Sequence, residues 1–329
     1  MAASPASLRL VRAAGGRELT LLAGCLLTVL VFSLASPYFL LAANLATIMR
    51  NSVELLIIGL GMTFVLAIGG IDVSVGLVMG LGAIGVGQAL LAGLPLWLVV
   101  LIGPLCGTLI GAITGSVIVF GRIPAIVATI GLLGIYRTAI YALLGGSWLS
   151  GLPTGLTTLV RMTPAGVPLP VIVILLLYLL AYLLLRWTPF GLHILAVGQD
   201  EARARLAGVA VRRVRFLAYL ASGCLCGIAA VSYVGTYRNV EMTTGASMSL
   251  DAIAAVVLGG TSILGGRASL LGTLLGVVLL RMLVNGFTLI GVPSLWQSVV
   301  TGVLLLAALI AENLVSGQIP WHRLRRGAA

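Results

Sequence analysis

The chain has 329 residues, 60 % of them hydrophobic and only 8 % charged, with a mean hydropathy of +1.20. A soluble domain carries about a quarter charged residues, so this composition excludes one and points to an all-α polytopic membrane protein. The formal charge of +11 does not signify nucleic acid, because it sits in tails and loops between apolar blocks; every basic residue behind it is arginine, since there is no lysine.

Arg9, Arg12 and Arg17 precede a first apolar run at residues 19–36. No small-residue cleavage site follows, so this run is read as a retained membrane helix. A short polar stretch, 44–52, is expected outside the membrane, and a second span, 53–68, returns across it. That span meets Gly69-Gly70-Ile71-Asp72-Val73-Ser74-Val75-Gly76, after which apolar residues resume as far as Leu91. Two adjacent glycines and an acid inside such a run predict a broken helix. A span at 96–120 ends in the basic turn 121–124, and a span at 125–144 carries Arg137. A loop rich in Gly, Pro, Ser and Thr, 145–167, leads to the apolar run 168–185.

Residues 186–215 form the one long polar segment, with Arg186, Arg203, Arg205, Arg212, Arg213 and Arg215 against Asp200 and Glu201. A basic loop between spans tends to stay in the cytoplasm. Within it, two acids, then Ala202-Arg203-Ala204-Arg205-Leu206-Ala207, then Gly208 have the order of a short capped helix. The residues alone allow either a solvated, topology-setting loop or a helix that docks on a soluble partner.

A span at 216–233 and an outer loop at 236–249 follow. The apolar run beginning at Asp251 is then only about ten residues long, roughly 15 Å as helix against a hydrocarbon core of about 30 Å. It is expected to be half-spanning or re-entrant, and it ends in Gly259-Gly260-Thr261-Ser262-Ile263-Leu264-Gly265-Gly266-Arg267. Spans at 268–287 and 294–311 bring the total to about ten segments in one transmembrane domain. On this threading the tails 1–18 and 312–329 lie inside with most of the arginines, and the outside receives Arg50, Arg161 and Arg238. Asp72 and Asp251 each accompany a glycine-rich break, and the glycine spacings that follow, such as Gly76 to Gly80 and Gly272 to Gly276, let helices approach closely.

The chemistry of the chain is sparse. There is no phosphate-binding loop with its lysine, so the chain supplies no ATP site of its own. Cys25, Cys106, Cys224 and Cys226 lie in apolar spans without the partners of a metal site, and no metal is expected. Acids in or beside spans are Glu54, Asp72, Asp251 and Glu312, and Asp72 with Arg137 is a candidate intramembrane pair. An ion-coupled secondary carrier for a small polar solute therefore stays open beside a conduit powered by another subunit; a membrane-embedded enzyme has less support.

Four segments resemble the permease subunits of bacterial ATP-binding-cassette importers for ribose and related sugars. They are residues 69–76; Ile123 to Gly131 followed by Tyr136-Arg137; Phe190-Gly191 to Gly208-Val209; and Asp251 to Ser262 with Gly265-Gly266. The chain departs from the family pattern at Leu192, Asp200 and Arg203. Residues 123–131 and 145–153 look most like autoinducer-2 and rhamnose permeases. The resemblance implies two paired permease subunits, a periplasmic sugar-binding protein, and cytoplasmic ATPase subunits that use ATP and Mg. It further implies that Gly198, Asp200, Ala202, Ala204 and Gly208 contact the ATPase. The pathway or its broken helices would draw on Gly69, Gly70, Asp72, Ser74, Gly76, Thr129, Arg137, Asp251, Gly259, Gly260, Thr261, Gly265 and Gly266.

Overall fold

The computed structural model describes residues 5–316. In chain order it contains α1 (Pro5–Ala35), α2 (Ala42–Ala67), α3 (Val75–Leu91), α4 (Leu96–Val119), α5 (Ala125–Leu144) and α6 (Gly155–Val160). After a 3-10 turn at Pro164–Gly166 come α7 (Leu169–Trp187), α8 (Pro189–Gln199), α9 (Glu201–Leu206), α10 (Val211–Tyr237), α11 (Met248–Leu258), α12 (Leu270–Leu289) and α13 (Ser294–Ser316). Among the described residues the only extended pairing is a single bridge between Leu149 and Val240.

Seven helices are long and apolar enough to cross a bilayer: α2, α4, α5, α7, α10, α12 and the Glu18–Ala35 part of α1. Three shorter apolar stretches, Val75–Leu91, Met248–Leu258 and Leu295–Leu304, bring the membrane segments to the expected number, and the 11-residue α11 is the half-span.

Burial sorts the helices. The apolar window of α2 is 83 % buried and that of α7 only 17 %, so α2 is central and α7 is peripheral, with its leucines on the outer surface. α2 and α10 pack together at the centre, with α3 and α4 on one side and α11 and α12 on the other; α1 lies against α12, and α5 against α3. The α4–α10 crossing is built from glycine, since a Cβ on Gly103, Gly107 or Gly111 would meet the backbone of α10 around Gly223 and Gly227. Backbones that close gain dispersion contacts, which drive helix association where no hydrophobic effect operates.

The structure corrects three boundaries. The polar stretch 44–52 is not a loop but the first turns of α2, which starts at Ala42; Ser52 satisfies its hydroxyl on the Ile48 carbonyl. The polar segment 186–215 holds two helices, not one, and ends as the first turn of α10. α1 begins at Pro5, ahead of the apolar run. Arg323, Arg325 and Arg326 lie outside the described residues.

A leucine at Gly107 has no room without moving α10, so Gly107→Leu should abolish the monodisperse peak on size-exclusion chromatography. Gly131, with nothing within 4 Å of its would-be Cβ, should accept leucine with the peak unchanged. Equal behaviour of the two variants would contradict the glycine crossing.

Candidate functional site: a junction of broken helices

The two glycine-rich breaks end their helices in the same way. In the first, Gly69 adopts φ +73°, its N–H bonds to Leu66 O at 2.8 Å, and Gly70 N–H bonds to Val65 O at 2.9 Å. In the second, Gly260 adopts φ +90°, its N–H bonds to Val257 O at 2.8 Å, and Thr261 N–H bonds to Val256 O at 3.2 Å. Both are Schellman stops, which need a left-handed residue that glycine supplies without steric cost.

Such a stop leaves the final helical carbonyls unpaired, and a buried one needs a partner from elsewhere in the chain. The Ala67 carbonyl of α2 receives the Gly266 N–H of the second break at 2.9 Å. α8 closes the same spot. A Cβ on Gly198 would collide with Ala67 O and Gly266 N, and one on Gly265 would meet Gly198 and the Gly69 amide. Three segments far apart in sequence therefore interlock backbone to backbone, two from the breaks and one from the polar segment.

The rest of the first break is held by its own acid. Asp72, 4 % exposed, accepts from the Ser74 N–H at 2.8 Å and from the Ser74 hydroxyl at 2.6 Å. Thr129 on α5 donates to Ile71 O at 3.4 Å, and Gly76 N–H donates to the Ser249 hydroxyl at 3.0 Å. Thr63 on α2 meets Thr273 on α12 at 2.8 Å with both side chains fully buried. Ser269 N–H donates to Thr261, and Gly259 faces the backbone of Gly272.

The polar segment follows from its capping residues. Pro189 stands at the first turn of α8, whose N-cap Thr188 accepts from Gly191 N–H. Asp200 caps α9 by accepting from Arg203 N–H at 3.0 Å, and Gly208 ends it at φ +84°. Glu201 holds Arg205 at 2.7 Å and Arg215 at 2.8 Å, tying α9 to α10.

Gly69, Gly70, Gly198, Gly265 and Gly266 thus come together, with Asp72, Ser74, Gly76 and Thr129 adjoining them. Four expected members do not fit their assigned places. Arg137 is exposed on α5 and makes no pair with Asp72, whose oxygen is taken by Ser74. Asp251 sits in the first turn of α11, at the far end of that helix from the second break. Ala204 is 4 % exposed and turns inward, as does Gly198, while Ala202, Leu206 (89 % exposed) and Gly208 form the outer face of α9.

The sequence pattern gave no prominence to Arg281 on α12. Its Nε is buried without a hydrogen-bond partner, and its charge acts on both Glu54 and Asp251. Glu54, 1 % exposed, accepts from Ser232 at 3.1 Å. A lone arginine inside an apolar span was the available signal. Among the described residues no three His, Cys, Asp or Glu side chains group as metal ligands.

Residues 44–309 match the profile of the branched-chain amino acid transport system / permease component family. The chain belongs to this permease family. It is 35 % identical over 292 residues to the ribose import permease protein of Bacillus subtilis (strain 168), covering 88 % of this chain and 91 % of the relative. It is 37 % identical over 308 residues to the autoinducer 2 import system permease protein of Enterobacter sp. (strain 638), covering 93 % and 90 %. The ribose import permease protein of Escherichia coli (strain K12) is 34 % identical over 298 residues, covering 88 % and 91 %. An inward-facing structure of a metal-chelate type ABC transporter shares the fold, with a TM-score of 0.51 at 15 % identity over 89 % of this permease and 98 % of that chain.

In this permease Asp72 acts as a backbone clamp. Asp72→Asn keeps an acceptor oxygen for Ser74 and should melt within about 1 kcal/mol of the parent. Asp72→Leu strands the buried Ser74 N–H and should cost about 1–3 kcal/mol. Thermal unfolding in detergent reads both, and equal losses would refute the clamp.

Proposed function

We propose that the chain is the membrane-spanning subunit of an ATP-driven importer in a bacterial inner membrane, carrying a small neutral sugar or sugar-like solute. One observation supports this above others: the α8–α9 segment is seated on both broken helices through Gly198, Ala67 and Gly266. A partner that moved α9 would push on the two irregular segments, where backbone departs from helix and a pathway can be opened.

The energy source is another subunit. ATP and Mg are bound there, and this chain holds no cofactor. The outer face of α9, with Ala202, Leu206 and Gly208, meets the ATPase, and an exposed leucine at the tip of a charged helix suits a pocket in a soluble partner. A second permease subunit completes the conduit, and a periplasmic binding protein delivers the solute at the opposite end.

What supports the threading is the distribution of arginine along the helices. Arg122, Arg186, Arg203, Arg205, Arg212, Arg213, Arg215 and Arg267 gather at the end of the bundle with α8 and α9, while Arg161 and Arg238 lie at the other. That distribution suits a cytoplasmic α8–α9 end and cytoplasmic termini. The solute class follows from the ribose and autoinducer 2 importers among the relatives.

A single cysteine at Leu206, in a chain lacking the four native ones, tests orientation and docking together. It should react with an impermeant maleimide only after the cells are permeabilised, and the ATPase should protect it. A cysteine at Trp148 should react from outside. Labelling at 206 in intact cells would overturn the threading, and unprotected labelling in the assembled complex would overturn the docking. In the same cells, uptake of labelled leucine with none of ribose or autoinducer-2 would remove the sugar reading.

A further inference from the structure

A recess of about 620 Å³ opens beside the junction, lined by Gly69 and Gly70 of the first break, the α4–α5 turn, α9 and the start of α10. Its charged lining is Arg122, Arg205, Arg212 and Arg215 against Glu201 alone, so four positive charges and one negative leave an excess of three. Glu201 is committed to Arg205 and Arg215. The Arg122 and Arg212 side chains make no hydrogen bond or ion pair among the described residues.

A second feature points into the same space. Tyr219 lines the recess, is 2 % exposed, and its hydroxyl has no hydrogen-bond partner. The hydroxyl packs against Gly70 at the wall of the recess, and a buried hydroxyl with nothing to bond is destabilising, so it marks a missing partner. Arg122 also stands at φ +55°, a left-handed conformation uncommon outside glycine, which holds it at the rim.

We propose that this recess is an anion site for a phosphate ester, either the headgroup of an anionic lipid or a soluble phosphate compound. Arginine forks bind phosphate oxygens through paired, charge-assisted hydrogen bonds, and the Tyr219 hydroxyl can donate one more. The volume exceeds what a lone carboxylate would fill. The lipid source is favoured by the apolar surface that continues from the rim, Phe120 (63 % exposed), Ile123 and Ile126, on which acyl chains can lie. Basic recesses between spans at the cytoplasmic side bind anionic headgroups in this way. The bound phosphate would bridge the α4–α5 turn to α9 and α10, beside the junction, and so stiffen the segment expected to move. The site itself does not depend on the transport reading.

The test is thermal unfolding of the purified full chain in neutral detergent with dioctanoyl phosphatidylglycerol, dioctanoyl phosphatidylcholine or inorganic phosphate. Phosphatidylglycerol should raise the melting temperature saturably and phosphatidylcholine should not, and the shift should shrink as salt is raised. The double variant Arg122→Asn, Arg212→Gln, in which asparagine tolerates the left-handed backbone, should melt like the parent without ligand. Its affinity should fall roughly tenfold or more. Should that variant fail to fold, Tyr219→Phe should lower the affinity without lowering the unliganded melting temperature. A shift with inorganic phosphate that the double variant abolishes also upholds the site and names a soluble source. Absence of a shift with all three probes, or a shift that both variants keep, overturns it.

Discussion

The Ala67 carbonyl is the constraint on which the junction depends. α2 must stop inside the molecule, and its Schellman turn pairs the Val65 and Leu66 carbonyls but leaves the next one open. An unpaired carbonyl away from water is costly, so another chain segment has to come to it. Gly266 does, and to bring its N–H within 2.9 Å the second break must bend through two left-handed glycines, Gly265 and Gly266. Gly198 must then lack a side chain for α8 to pass over both. One unpaired oxygen thereby fixes the meeting point of three segments and ties the polar segment to the two breaks.

The parts of the molecule that hold still are packed differently from the part that can move. The α4–α10 crossing is close and glycine-lined, and the Thr63–Thr273 pair staples α2 to α12 where both side chains are fully buried. α9 is different: a six-residue helix held by one cap, by ion pairs through Glu201, and by the buried Ala204. Exposed ion pairs contribute little, typically below about 1 kcal/mol. A partner docked on α9, as proposed, would shift it at little cost, and the close contacts beneath it would pass the shift on.

Much of this was legible in the residues. The breaks announce themselves as paired glycines in apolar runs, the short α11 as a run too brief to cross, and the α9 cap as Asp200 ahead of alanine and arginine. Other features were not, for physical reasons. The α2 start hides because Asn44, Arg50, Asn51 and Ser52 look like a loop, yet a helix can carry polar residues where it leaves the hydrocarbon. α8 hides because Phe190 to Val197 is mildly apolar and reads as part of a basic loop; its proline start was the clue. The inward turn of Ala204 and the separation of Arg137 from Asp72 are facts of helix rotation, which spacing alone does not set. The convergence of residues 67, 198 and 266 is tertiary and has no local signature.

Coupling through the Ala67–Gly198–Gly266 contact is the central claim, and the ratio of solute taken up to ATP hydrolysed tests it most directly. The measurement compares the parent, Gly198→Val and Gly155→Val in proteoliposomes with the ATPase and binding protein; Gly155 has nothing within 4 Å of its would-be Cβ and serves as the control. The account predicts that Gly198→Val still holds its ATPase and hydrolyses ATP while uptake per ATP collapses, with Gly155→Val matching the parent. An unchanged ratio in a folded, ATPase-bound Gly198→Val importer would contradict it.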